Sequence, residues 1–178
     1  DTVTILERIG HFLDEENQLL FDKLKKDGID DHREISARIG ESLDVQKILT
    51  HAANSLDGGY VMCGLIGHGD AFVMRDPNGI RPAFWFEDDE IVVVASERPV
   101  IQTAFNLSAD QIQEVAPGHA LIIKRDGSVS MPQVKQPGEQ KSCSFERIYF
   151  SRGNDASIYD ERKALGRYLV PKILEAVE

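Results

Sequence analysis

The chain has 178 residues, the length of one globular domain with room for a core that needs no staples. Its 30 acidic against 20 basic residues give a formal net charge of −10, and the only basic run, "KLKK" at 23–26, is followed at once by aspartates, which excludes nucleic acid and anionic membrane as partners. The longest apolar run, "IVVVA" at 91–95, is too short to span a bilayer, no signal-peptide pattern is present, and two cysteines make no disulfide framework, so a reducing cytoplasm is the expected home.

The chain opens at Asp1 without a methionine and enters a helical pattern at once, which suggests a fragment or processed piece. Ile5, Leu6, Ile9, Phe12 and Leu13 share one helical face, followed by Leu19, Leu20 and Leu24, then Ile35, Ile39 and Leu43. Two or three helices fit this spacing. Asp31 and Glu34 have the form of a capping box after the turn "DGIDD", and Val45, Ile48, Leu49 and Ala52 either continue that helix or begin another. After "LDGG" the period becomes that of strands: "YVMCGLIG", "AFVMR", "AFWFE", "EIVVVASE", "GHALIIKR" and "SVSMPQV", a mostly antiparallel meander. "ERPVIQTAFNL" reads as a short helix and "KQPGEQKS" at 135–142 as a surface loop. The closing helix, "ASIYDERKALGRYLVPKILEAVE", has Leu165, Leu169, Ile173, Leu174 and Val177 on its inner face, with Pro171 expected to kink or break it. Helices, then sheet, then helix is an α+β order.

Read locally, "RDPNGIRP" at 75–82 is a hairpin turn: Asp76, Pro77, Asn78 and Gly79 occupy the four positions of a type I turn. Turn chemistry leaves Arg75 and Arg81 unexplained. The other candidates are weak one by one. His68 in "GHGD" has no second histidine or cysteine at metal-binding spacing and reads as a turn residue. Cys63 reads as a buried thiol in an apolar strand, and "EDDE" at 87–90 as an exposed hairpin tip. No nucleophile with an adjacent base can be found.

Taken together, "RDPNGIRP", "VVASE" (93–97), "VAPGHALII" with a following "DG" (115–127) and "CSFERIYFSR" (143–152) form a series far more specific than any member. The series resembles the class II, N-terminal-nucleophile glutamine amidotransferases. The Pro77 form of the loop and "CSFERIYFSR" are closer to one member group, the amidophosphoribosyltransferases, whose glutaminase domain ends in a segment like C-x-x-E-Y-I-Y-F-A-R. The likeness covers about residues 58–170, and "DTVTIL" at 1–6 is similar to the family's S-D-T-E-x-L helix start. Ala83 after "GIRP", Arg147 in place of a tyrosine, and "RGNDASIYDER" depart from the family pattern.

The resemblance implies that residues 1–178 are the second half of a glutaminase domain within a four-layer αββα sandwich of mostly antiparallel sheets, with 153–178 leading towards a phosphoribosyltransferase domain. It implies an N-terminal cysteine nucleophile whose own α-amino group is the base, an Asn-Gly oxyanion hole, and a thioester intermediate on the way to ammonia. No catalytic residue falls in this chain, and the piece alone is expected to be inactive. Asp1 would hold the α-ammonium of glutamine, or else serve only as a helix N-cap. Arg75, Asp76, Pro77, Gly79 and Arg81 would form a structural loop, tied to its surroundings through carboxylates or carbonyls. Cys143 would be either one ligand of a 4Fe–4S cluster that some members carry or a half-buried structural thiol. The whole enzyme would use glutamine and phosphoribosylpyrophosphate with Mg²⁺, as a homo-oligomer, while this piece would hold no cofactor. An asparagine-synthetase-type glutaminase and a non-catalytic module on the same scaffold are the alternative readings.

Overall fold

The structure, a computed structural model, describes residues 2–177 and groups the chain into two compact units. One unit holds the chain up to Gly79 together with Ala116–Gln140, and the other holds Ile80–Val115 and the chain from Lys141 onward.

In the first unit three helices, α1 (Thr2–Lys26), α2 (His32–Ser42) and α3 (Val45–Ala53), precede an antiparallel sheet. That sheet has the order β1-β2-β6-β7, with β1 Val61–Leu65, β2 Ala71–Arg75, β6 Ala120–Ile123 and β7 Val129–Ser130. Val45, Ile48, Leu49 and Ala52 therefore start a new helix instead of extending α2. Asp44 caps α3 by accepting from the Lys47 N–H at 2.9 Å, and Asp31 caps α2 by accepting from the Arg33 N–H at 2.7 Å. Glu34 does not close a capping box; it reaches forward one turn to pair with Arg38 at 2.6 Å.

Helix α3 is apolar on two sides, as a helix buried between layers must be. Its Val45, Leu49 and Ala53 pack on Phe72 and Met74 of β2 and Ala120 and Ile122 of β6. Its Ile48 joins Ile35, Ile39 and Leu43 against Ile9, Phe12, Leu13, Leu20 and Leu24 of α1. Leu6 and Leu19, expected on that face, point outward at 71% and 61% exposure, because the half-buried stripe of this 25-residue helix is narrower than its apolar composition.

The second unit has the antiparallel order β4-β3-β5, from β3 (Phe84–Glu87), β4 (Val92–Ala95) and β5 (Gln113–Glu114). The strands thus form two sheets and not one meander, and β5, with no apolar residue, carries no strand signal in sequence. Helix α4 (Arg98–Phe105) follows β4, with proline in its first turn and Asn106 ending it in the left-handed conformation at φ 54°. A π-helical turn, Glu146–Phe150, leads to α5 (Ala156–Val177). Asp155 caps α5, its carboxylate accepting from the Ser157 N–H at 3.0 Å.

Two expectations for α5 are corrected. Pro171 lies inside the helix and does not break it, since the helix continues to Val177. Leu165, Leu169, Ile173, Leu174 and Val177 are all exposed, and only Ile158 is buried. The apolar spacing was real, but none of the described residues covers it.

Candidate functional site

The turn at 76–79 is built as its residue types dictate. The Gly79 N–H donates to the Asp76 carbonyl at 3.2 Å, the Asn78 N–H donates to Asp76 Oδ1 at 3.1 Å, and Gly79 sits at φ 61°. Its surroundings are less ordinary. Asp76 is fully buried and Arg75 nearly so. The Asp76 N–H donates to the Tyr60 carbonyl at 2.9 Å, and the Asp76 carbonyl also accepts from the Gly118 N–H at 3.1 Å. Arg75 Nη2 donates to the Gly79 carbonyl at 3.3 Å, folding its guanidinium back over the turn. Asn78 Nδ2 donates to the Glu139 carbonyl and the Gly138 N–H to the Pro77 carbonyl, both at 2.9 Å. Beside this knot, burial first and the charge of Asp76 second push the Tyr60 phenol up to about 12.

In the second unit Arg81 pairs with Glu146 Oε2 at 2.8 Å and lies over the Phe150 ring at 5.7 Å. Glu146 is 8% exposed, so this carboxylate is held away from water by its partner. Glu97 accepts from the Arg152 N–H at 3.2 Å, and its other oxygen stands 3.5 Å from Arg152 Nε. The four motif segments of the sequence are therefore bonded to one another. "RDPNG" meets "APGH" through Asp76 and Gly118, "GIRP" meets "SFERIYF" through Arg81 and Glu146, and "VVASE" meets "YFSR" through Glu97 and Arg152. No such pairing can be read from a sequence in which the partners stand tens of residues apart.

The thiols lie elsewhere. Cys63 corrects the expectation of a buried core residue: it is exposed on β1, opposite Val73, and among the described residues β1 pairs only with β2. An apolar run does not announce that it lies at a sheet edge. Partial burial of the side chain still pushes its thiol up from the ordinary value, which disfavours the thiolate a nucleophile needs. Cys143 is half-buried. Among the described residues no group of three or more histidine, cysteine, aspartate or glutamate side chains could hold a metal ion. A cluster held by four thiolates therefore does not fit these residues by themselves. Asp1 lies outside the described residues.

One buried constellation was not foreseen. Asp70, fully buried at the end of the β1–β2 hairpin, accepts from Lys124 Nζ and from the Arg125 N–H at 2.9 Å, with His68 Nε2 at 3.0 Å from Oδ2. Lys124 Nζ also donates to the Leu43 carbonyl at the end of α2, at 3.3 Å. Burial works to raise the Asp70 carboxyl, but the bonds from Lys124, His68 and the Arg125 N–H together hold it below the usual carboxylate range. His68 is thus a turn histidine with a buried carboxylate as its partner.

No helix among the described residues is long and apolar enough to cross a membrane. No family model matches the chain. An amidophosphoribosyltransferase of Escherichia coli (strain K12) is 35% identical over 133 residues, covering 68% of this chain and 26% of that protein. The amidophosphoribosyltransferase of Saccharomyces cerevisiae is 32% identical over 133 residues, with the same shares covered. Among solved structures, the glutamine phosphoribosylpyrophosphate amidotransferase from B. subtilis matches with a TM-score of 0.52 and 26% identity, over 77% of this chain and 30% of that one. The chain spans about a quarter of the length of the curated relatives it matches. With its α+β build of helices and antiparallel sheets, its matched relatives and its bonded motif series, the chain belongs to the amidophosphoribosyltransferase family.

Proposed function

We propose that this chain is the second half of the glutaminase domain of an amidophosphoribosyltransferase, and that its own task is to frame a site whose reacting groups lie outside residues 1–178. In the whole protein, glutamine would be hydrolysed to ammonia, which would be transferred to phosphoribosylpyrophosphate to give phosphoribosylamine, the first step of purine synthesis. On this reading the α-amino group of an N-terminal cysteine takes the proton of its thiol, and the thiolate attacks the glutamine side-chain amide. The proton passes to the departing nitrogen so that ammonia leaves as the thioester forms, and water then hydrolyses the thioester to glutamate. The two units would contribute to a four-layer sandwich, and the assembled enzyme would be a homo-oligomer using Mg²⁺ in its second domain. Cys143 would be a structural thiol, or at most one of four ligands to a cluster completed elsewhere.

The observation that carries this reading is the mutual bonding of the motif segments. Asp76, Arg81, Glu97 and Glu146 are spent on one another and on backbone groups, which is how a frame is built. Neither thiol has the features of an activated nucleophile: Cys63 is mid-strand with its thiol pushed up, and neither cysteine has the free amino group that would serve as base.

The test is ammonia release from glutamine by the full gene product, with and without phosphoribosylpyrophosphate. Replacing an N-terminal cysteine by alanine should abolish release, whereas Cys63→Ala and Cys143→Ala should each retain at least half of it. Loss of glutaminase activity in Cys63→Ala, with the protein folded, would overturn the assignment.

A further inference from the structure

The chain passes between the two units three times, after Gly79, before Ala116 and after Gln140. On the side of the first unit, all three passages start from groups bonded to the same turn. The first leaves from Gly79 itself, whose N–H is held by the Asp76 carbonyl. The second returns into Pro117 and Gly118, and the Gly118 N–H is held by that same carbonyl at 3.1 Å. The third departs just after Gly138 and Glu139, which the Pro77 carbonyl and the Asn78 amide hold at 2.9 Å each.

The fit is close. A Cβ on Gly138 would stand 2.5 Å from Asn78 Nδ2, and one on Gly79 would stand 3.0 Å from Pro117 Cγ. The Gly118 carbonyl adds a second layer by accepting from the Val134 and Lys135 N–H groups, both at 2.9 Å, which straps the third passage across the second.

We propose that the Asp76–Gly79 turn is a clasp that gathers the three passages at one point of the first unit and makes them open and close as one. Backbone groups supply most of its bonds, and Asn78 is the side chain that reaches the third passage. Releasing the clasp frees the three segments of the first unit at once, while the helix and sheet core behind it keeps its packing. The turn is then a conformational device of the fold, independent of any chemistry the protein performs.

The experiment compares hydrogen exchange and limited proteolysis of the full gene product with its Asn78→Ala and Gly138→Ala variants. Loss of one such bond is expected to raise exchange at Gly118 and Gly138, and cleavage near residues 80–82, 115–117 and 139–142, together by about five-fold. The core amides of Met74 and Ile122 should keep their protection. Asp126→Ala, which releases Ser128 in the β6–β7 hairpin, is the control and should leave all three passages unchanged. A rise confined to the third passage, no rise at any passage, or an equal rise across the first unit would each overturn the clasp.

Discussion

Asp70→Asn should cost the first unit about 2–3 kcal/mol at neutral pH, and the cost should shrink as the solution is acidified. Removing one member of a buried ion pair costs roughly 3–5 kcal/mol, because the other charge stays behind without compensation. Here Lys124 has 30% of its side chain exposed and keeps the Leu43 carbonyl, so part of that cost is returned by water. The asparagine oxygen can still accept from the Arg125 N–H, which leaves no orphaned backbone donor. The pH dependence has a definite sign. The Asp70 carboxyl is held below its unfolded value of about 3.9, so its contribution is complete above that value and is lost as the pH falls through the lower, native one. The asparagine variant lacks this contribution at every pH, and the gap between the two proteins should close in acid. The assay is urea unfolding followed by exchange at the Phe72 and Ala120 amides. Fluorescence of Trp85, the one tryptophan, would follow β3 in the other unit. A double-mutant cycle with Lys124→Met should show coupling of at least about 1 kcal/mol. A loss below about 0.5 kcal/mol, or a gap that widens in acid, would refute the reasoning.

Gly118→Ala and Gly127→Ala both place a side chain at positive φ, 72° and 87°, but only the first drives it into the Lys135 carbonyl. The second should cost about 1 kcal/mol and the first about 3 kcal/mol or more, so equal shifts in melting temperature would contradict the packing described. Cys63 should react with a thiol reagent in the folded chain, and because its thiol is pushed up the rate should still be climbing above about pH 8.5; a plateau near neutrality would show an activated thiolate. The open edge of β1, with Leu65 79% exposed, should make the 178-residue chain self-associate, and Leu65→Lys should suppress this. A monodisperse monomer of the unaltered chain in light scattering would count against it.

Local signals in this sequence were legible where the physics is local. The cap at Asp31, the turn at Asp76–Gly79 and the strands "AFVMR" and "AFWFE" sit where their residue types place them. What escaped depends on partners distant in the chain. Nothing in its own segment marks Asp70 until Lys124 arrives from just past β6, and Cys63 looks like core until β1 proves to be an edge. The apolar stripe of α5 shows the converse limit, since periodicity says which face could be buried and not whether anything covers it. In the candidate site the motif segments could be recognised singly, but the ion pairs Arg81–Glu146 and Glu97–Arg152 that join them could not.

The first sheet is interrupted in sequence: β2 finds its partner β6, with Met74 beside Ala120, only after β3, α4 and β5 have been traversed. During synthesis, then, the three helices and the β1–β2 hairpin emerge with Phe72 and Met74 still lacking half of their cover. The β3–β4 hairpin can form meanwhile, since its contacts are short-range, whereas closing the first sheet must wait for the loop between β2 and β6 to be spanned. Lys135, whose ammonium binds the Ala53 carbonyl at the end of α3 and the Leu56 carbonyl just past it, arrives later still. The helical layer is thus finished by one of the last parts of its unit to be made, and a chain stalled before that point would present its sheet face to chaperones.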